Sequence, residues 1–202
     1  IKSITSGKYA AAQGFTPGYV LTTLGQRLSR VRVLATVVDN FVSENKRFAS
    51  ITLDDGSDTI RCKMFNATSI FDGIEPGTIV DVFGKVKEYQ GEVYIIPEVI
   101  KVAEDPNWEL LRELELRSSE GEFGEKRRLV FEHQKQVSDM DELKKFMFER
   151  FAVQPQDVEA IVQSADIEEL QEEEPNKKAK DTVLKFIVDL DKGEGCDYSE
   201  LL

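Results

Sequence analysis

Two short stretches hold the residues with the most to say about chemistry. Ile60-Arg61-Cys62-Lys63-Met64-Phe65 alternates its side chains. The period of two sends Cys62 and Met64 to one face of a strand and Arg61, Lys63 and Phe65 to the other. Lys85-Val86-Lys87-Glu88-Tyr89 repeats the arrangement. Val86 takes the core side, and Lys85, Lys87 and Tyr89 take the open side. Each strand thus offers two cations followed by an aromatic ring. Cations track phosphates and flat rings stack on bases, so such a sheet suits a single-stranded nucleic acid. The same residue types also decorate strands that bind nothing, where they serve solubility and strand propensity.

Covalent chemistry finds little support. Asp54-Asp55 has the look of a carboxylate pair, but it sits in Asp54-Asp55-Gly56-Ser57, where Asp is favoured by the backbone of a tight turn. Cys62 and Cys196 lie far apart, which argues against a zinc site or a disulfide framework and for a reducing compartment. His133 is the only histidine and has no motif around it, so a solvated helix histidine is expected. There is no Gly-rich phosphate loop and no nucleophile–base pair. The expectation is a non-enzyme with no catalytic residue, metal or cofactor.

The 202 residues suffice for one domain plus a smaller one or a helical extension, and 41% hydrophobic with 32% charged residues describes a soluble chain. Apolar runs are short, so no membrane span is expected, and no signal peptide is visible. The net charge of −12 is uneven. Residues 1–26 hold two lysines and no acids, residues 27–103 hold ten cations and eleven acids, and residues 104–202 hold 14 cations and 27 acids. The acidity therefore belongs to the C-terminal half, while the cations of the first half cluster on strands.

The elements that would position these residues follow in order. Residues 1–29 read as a loose N-terminal arm, with Tyr19-Val20-Leu21 able to pack. Strands are expected over 30–41, 48–53, 59–65, 79–89 and 93–102, with turns at 43–47, 54–57, 76–77 and 90–91. A short helix over 66–74, capped by Asn66, brings Ile70 and Phe71 to plug a barrel end. Three strands, a helix and two more strands is the order of the five-stranded OB-fold barrel, whose binding face is flanked by the loops joining strands one–two and four–five. Lys46, Arg47 and Phe48 belong to the first of those loops and its exit, and Tyr89 opens the second. The nucleic-acid-binding set is therefore Phe65, Tyr89, Arg61, Lys63, Lys85, Lys87, Lys46, Arg47 and Phe48, within a domain at 30–103.

An α-helical region follows. Pro106 suits a first helical turn, and Trp108, Leu111 and Leu114 form an apolar stripe that either caps the barrel or meets a partner's helix. Ser118–Gly124 is expected to break this helix before a charged one resumes, making 104–138 a helical segment for subunit association. Residues 139–170 are helical, with Leu143, Phe146, Met147 and Phe151 as an amphipathic stripe and Pro155 opening a second helix. Residues 171–180 form a charged linker, and 181–202 open a further helical module.

Arg30–Val38, Leu53–Ile60 and Val82–Val86, the helix after the fifth strand, and Val183–Ile187 through Gly193-Glu194-Gly195 to Asp197–Leu201 together resemble the middle subunit of replication protein A, most closely its archaeal form. The resemblance covers roughly residues 18–117 and 181–202 of the sequence. It implies single-stranded DNA as ligand, with Phe65 and Tyr89 at the positions of the family's two stacking aromatics. It implies a heterotrimer with a large and a small subunit, joined through one helix from each. It also implies that 181–202 begin an incomplete winged helix that docks repair and replication proteins. An archaeal source would place the chain in the cytoplasm or nucleoid, a eukaryotic one in the nucleus. The competing reading is an OB-fold protein-interaction adaptor with little DNA binding of its own, an accessory replication or telomere-capping-like factor. The acidic C-terminal half favours it.

Overall fold

The computed structural model describes residues 1–105, 107–137, 139–165 and 167. The first 28 of them are not a loose arm. Helix α1 (Lys2–Thr5) leads into strands β1 (Lys8–Ala10), β2 (Tyr19–Leu21) and β3 (Arg27–Leu28), which pair antiparallel as a small sheet. Ile4 and Val20 are buried in the same core as the barrel residues. The reason is apolar area: a segment with Ile4, Val20 and Leu21 to cover gains more by packing than by staying solvated. The Thr5 hydroxyl also donates to Asp58, tying α1 to the nearby hairpin.

The barrel comprises β4 (Arg30–Val42), β5 (Phe48–Asp54), β6 (Thr59–Phe65), β7 (Ile79–Tyr89) and β8 (Glu92–Val102), closed in the order β4-β5-β6-β8-β7. All pairs are antiparallel except β6–β8, which run parallel. This is the OB-fold. The first half of β4 pairs with β7 and its second half with β5. The register shifts between Val37 and Asp39, and that irregularity bends one strand around the barrel. Alternation fills the interior with Val33, Ala35, Ile51, Leu53, Val82 and Ile95, all buried.

The expected helix over 66–74 is shorter. A single 3₁₀ turn spans Thr68–Phe71, and Asn66 does not cap it but takes a left-handed φ of 63°. Asn tolerates that conformation because its short polar side chain costs little there. The plug itself is present: Phe71 and Ile74 are buried and Ile70 packs beside them.

Helix α2 (Asn107–Gln134) runs for 28 residues without interruption. The expected break at Ser118–Gly124 does not occur. Gly121 and Gly124 face open space, and the ion pairs Arg117–Glu113 and Lys126–Glu122, each one turn apart, bridge the weak stretch. Arg112 fastens the helix to the barrel by donating to the Arg32 carbonyl at 3.0 Å. Arg32 in turn grips Asp81 with contacts of 2.9–3.1 Å and reaches Glu115 at 3.3 Å.

Helix α3 (Met140–Phe151) starts at Asp139, whose side chain accepts from the Asp141 amide, and stops at Ala152 in the left-handed region. A further helix, α4, covers 155–165. Val130, Leu143, Met147, Val153, Val158 and Ile161 form a second core between these helices. His133 is not solvated. It is half-buried between Phe146 and Phe151, with ring centroids 5.1 Å away from each, and its Nδ1 lies 2.9 Å from the Leu129 carbonyl. The linker at 171–180 and the module at 181–202 fall outside the described residues.

Candidate nucleic-acid interface

Strand alternation brings the outward side chains of β4, β5, β6 and the β7–β8 hairpin around one groove of about 700 Å³. It is lined by Asp39, Phe41, Phe48, Ser50, Arg61, Lys63, Phe65, Tyr89 and Tyr94. Phe48 and Phe65 are direct cross-strand partners with centroids 5.3 Å apart, and Phe41 stands 6.1 Å from Phe48. The three rings form a row across three strands. Each is tilted by nearly 50° from the next, so ring faces are presented rather than stacked away on one another.

Tyr89 ends β7 and is 65% exposed. The Gln90-Gly91 turn that follows has φ of 53° and 82°, the left-handed pair that a tight two-residue hairpin demands. The hairpin puts Tyr89 opposite Glu92 and Lys87 opposite Tyr94. Tyr94 also stands beside Arg61 in the parallel pairing, so it occupies the middle of the cationic area. Partial burial, reinforced by nearby anions, holds its hydroxyl above the ordinary tyrosine range.

The cations are less free than the sequence implies. Lys63 is only 14% exposed, lies over the Tyr94 ring at 4.7 Å and pairs with Glu92 at 2.7 Å. Arg61 approaches the same carboxylate at 3.6 Å. Lys85 does not line the groove. It pairs with Glu98 at 3.1 Å, and Arg30 bonds that carboxylate at 2.9 Å. Hydrogen bonds from Arg30 and then Lys85 hold the Glu98 carboxyl below the usual range. Lys87 is half-buried opposite Tyr94 and does not line the groove.

Lys46 and Arg47 are exposed in the loop between β4 and β5. That loop is anchored at both ends. Ser43 bonds Phe48 through both backbone and hydroxyl, and the Asn66 amide donates to the Arg47 carbonyl at 2.8 Å. Trp108, Leu111 and Leu114 lie away from the groove, on the first half of α2, each about half exposed. Leu110 is exposed beside them.

Phe41 and Tyr94 are the groove residues that sequence reasoning passed over. Simple alternation from Val33 through Val37 puts Phe41 inside, and the irregularity after Val37 turns it out. Tyr94 was legible: it is the outward neighbour of Ile95 and faces Lys87 across a two-residue turn.

Residues 27–103 match the family model described as OB-fold nucleic acid binding domain. An uncharacterized protein of Methanocaldococcus jannaschii is 32% identical over 114 residues, covering 56% of this chain, and the chain spans 46% of that relative's length. Among solved structures, a replication protein A heterotrimer bound to ssDNA is 18% identical, with TM-score 0.46, 57% of this chain and 88% of that chain covered. The S. pombe Stn1–Ten1 complex is 21% identical with TM-score 0.45, at 50% and 78% coverage. The second OB-fold domain of replication protein A from Methanococcus maripaludis is 26% identical with TM-score 0.31, at 39% and 86% coverage. Barrel order, plug and family-model match agree that residues 27–103 form an OB-fold.

Proposed function

We propose that this chain binds single-stranded DNA in the groove over β5 and β6, as one subunit of a replication protein A-like complex. The observation that carries the reading is the ring row Phe41–Phe48–Phe65, continued by Tyr89 and Tyr94 beside Arg61 and Lys63. Stacking contributes about 1–3 kcal/mol per base. A few bases therefore give modest affinity alone, which suits a subunit that works inside a multivalent assembly. Lys46 and Arg47, exposed in the loop that leads to Phe48, add cations to the site. Trp108, Leu111 and Leu114 are the residues assigned to contact with the other subunits. Docking of replication and repair proteins at residues 181–202 rests on the sequence resemblance.

The test is fluorescence anisotropy of a labelled thymidine oligomer against the chain at two salt concentrations. The expected result is binding that weakens with salt and is lost in a Phe65→Ala/Tyr89→Ala double variant. A second reading, a protein-interaction adaptor, is favoured by the exposed apolar stretch of α2 together with the acidic second half of the chain. No binding at low salt, with capture of a partner that Leu111→Asp abolishes, would establish that reading instead.

A further inference from the structure

The Glu92 carboxylate is the one acid of the described residues that touches two groove cations. Its two oxygens lie 2.7 Å from Lys63 Nζ and 3.6 Å from Arg61 Nη1. It stands at the foot of the hairpin, directly across from Tyr89. Lys63 is fixed between that carboxylate and the Tyr94 ring, with little exposure to solvent. A phosphate oxygen approaching Lys63 would need the position that a Glu92 oxygen holds, because Lys63 already donates there, and the Arg61 guanidinium lies within ion-pair reach of the same carboxylate.

We infer that Glu92 is a built-in stand-in for a phosphate, which incoming single-stranded DNA must displace and which thereby sets the affinity and salt dependence of the groove. This rests on the single-stranded DNA reading above. Glu92 is itself 43% exposed, so its hold is modest and can be broken on binding. With Glu92 in place, the groove selects mainly by stacking. With Lys63 and Arg61 released, it gains phosphate contacts. Asp39 supplies the comparison: it lines the same groove, and no cation pairs with it among the described residues.

The experiment measures oligothymidine binding by anisotropy across a salt series for the wild type, Glu92→Gln and Asp39→Asn, with thermal melts to show that each is folded. Glu92→Gln is expected to bind roughly 1.5-fold to fivefold tighter at low salt, the range an exposed ion pair spans. Its log K against log salt is expected to steepen by about 0.7 for each phosphate gained. Asp39→Asn removes the same charge without releasing a cation, so its slope should stay at the wild-type value. Binding by Glu92→Gln where the wild type binds too weakly to detect would also support the inference. Equal affinity and slope in wild type and Glu92→Gln would overturn it while leaving the single-stranded DNA reading intact. A slope that steepens as much in Asp39→Asn would also overturn it. Absence of binding in all three would overturn both.

Discussion

Phe48 touches both of its aromatic neighbours and sits at the centre of the ring row. Phe48→Ala should therefore weaken DNA binding by about 1–3 kcal/mol, the value of one stacked base, in the same titration. Phe41→Ala should cost a similar amount, although it lies on a strand with no cation–aromatic pattern. Cys62 lies on the opposite face of β6 and is fully buried, and burial pushes its thiol well above the ordinary value of 9.0. The native protein should leave Cys62 unmodified by iodoacetamide while denaturant exposes it, read by peptide mass spectrometry. Because the folded value is raised, this group's contribution to stability is complete below pH 9 and is lost as pH climbs beyond it. The loss should approach about 1.4 kcal/mol per pH unit, measurable by urea unfolding at pH 8, 9 and 10.

Elements are held at defined points. The Arg32–Asp81 pair with Glu115 and Arg112 fixes the first half of α2 against β4 and β7. Arg32→Met leaves a half-buried Asp81 without its partner and removes the Arg32–Glu115 link to α2, while the Arg112 bond to the residue-32 carbonyl stays. The expected cost is about 1–3 kcal/mol in global unfolding, with faster amide exchange in α2. At the other helical contact, Gly25 has φ of 82° and lies so close to α4 that an added Cβ would stand 2.6 Å from the Ile161 Cα. Gly25→Ala combines backbone strain with a clash against backbone that cannot rotate away. It should destabilise the protein by about 1–3 kcal/mol, read as a lower urea midpoint.

For the whole molecule, charge works against the proposed ligand. Residues 27–103 are nearly neutral while residues 104–202 carry most of the net −12. Removing residues 139–202 should therefore speed association with DNA at low salt and leave the rate unchanged at high salt, where screening shortens the reach of the field. Acid should unfold the protein by another route. The carboxyls of Glu98, bonded first to Arg30, and of Asp58, bonded first to Thr5, are held below their ordinary range. Depressed values mean that these groups stabilise the fold above the ordinary carboxylate range. That contribution disappears as pH falls through their folded values, so Tm should drop in melts taken below pH 4.5.

How much was legible in the sequence varies with the range of the interaction. Period-two alternation is local, and it sufficed for the barrel strands, their inward set and the outward placement of Phe65, Tyr89, Arg61 and Lys63. The Asp54–Ser57 and Gln90-Gly91 turns were legible because turn chemistry is also local. Four things depended on packing or on side-chain pairing that alternation does not announce. Folding of residues 1–28 came from apolar burial against the barrel, which no local pattern announces. Continuity of α2 through Gly121 and Gly124 came from side-chain pairs along the helix and its fastening to β4. The outward turn of Phe41 came from an irregularity set by barrel closure. Lys85 and Lys63 met Glu98 and Glu92 only because β7, β8 and β6 lie side by side. Sequence alone thus determined which residue types face outward on each strand. The tertiary structure decided which of them share one groove, and which of its cations are already held by a carboxylate.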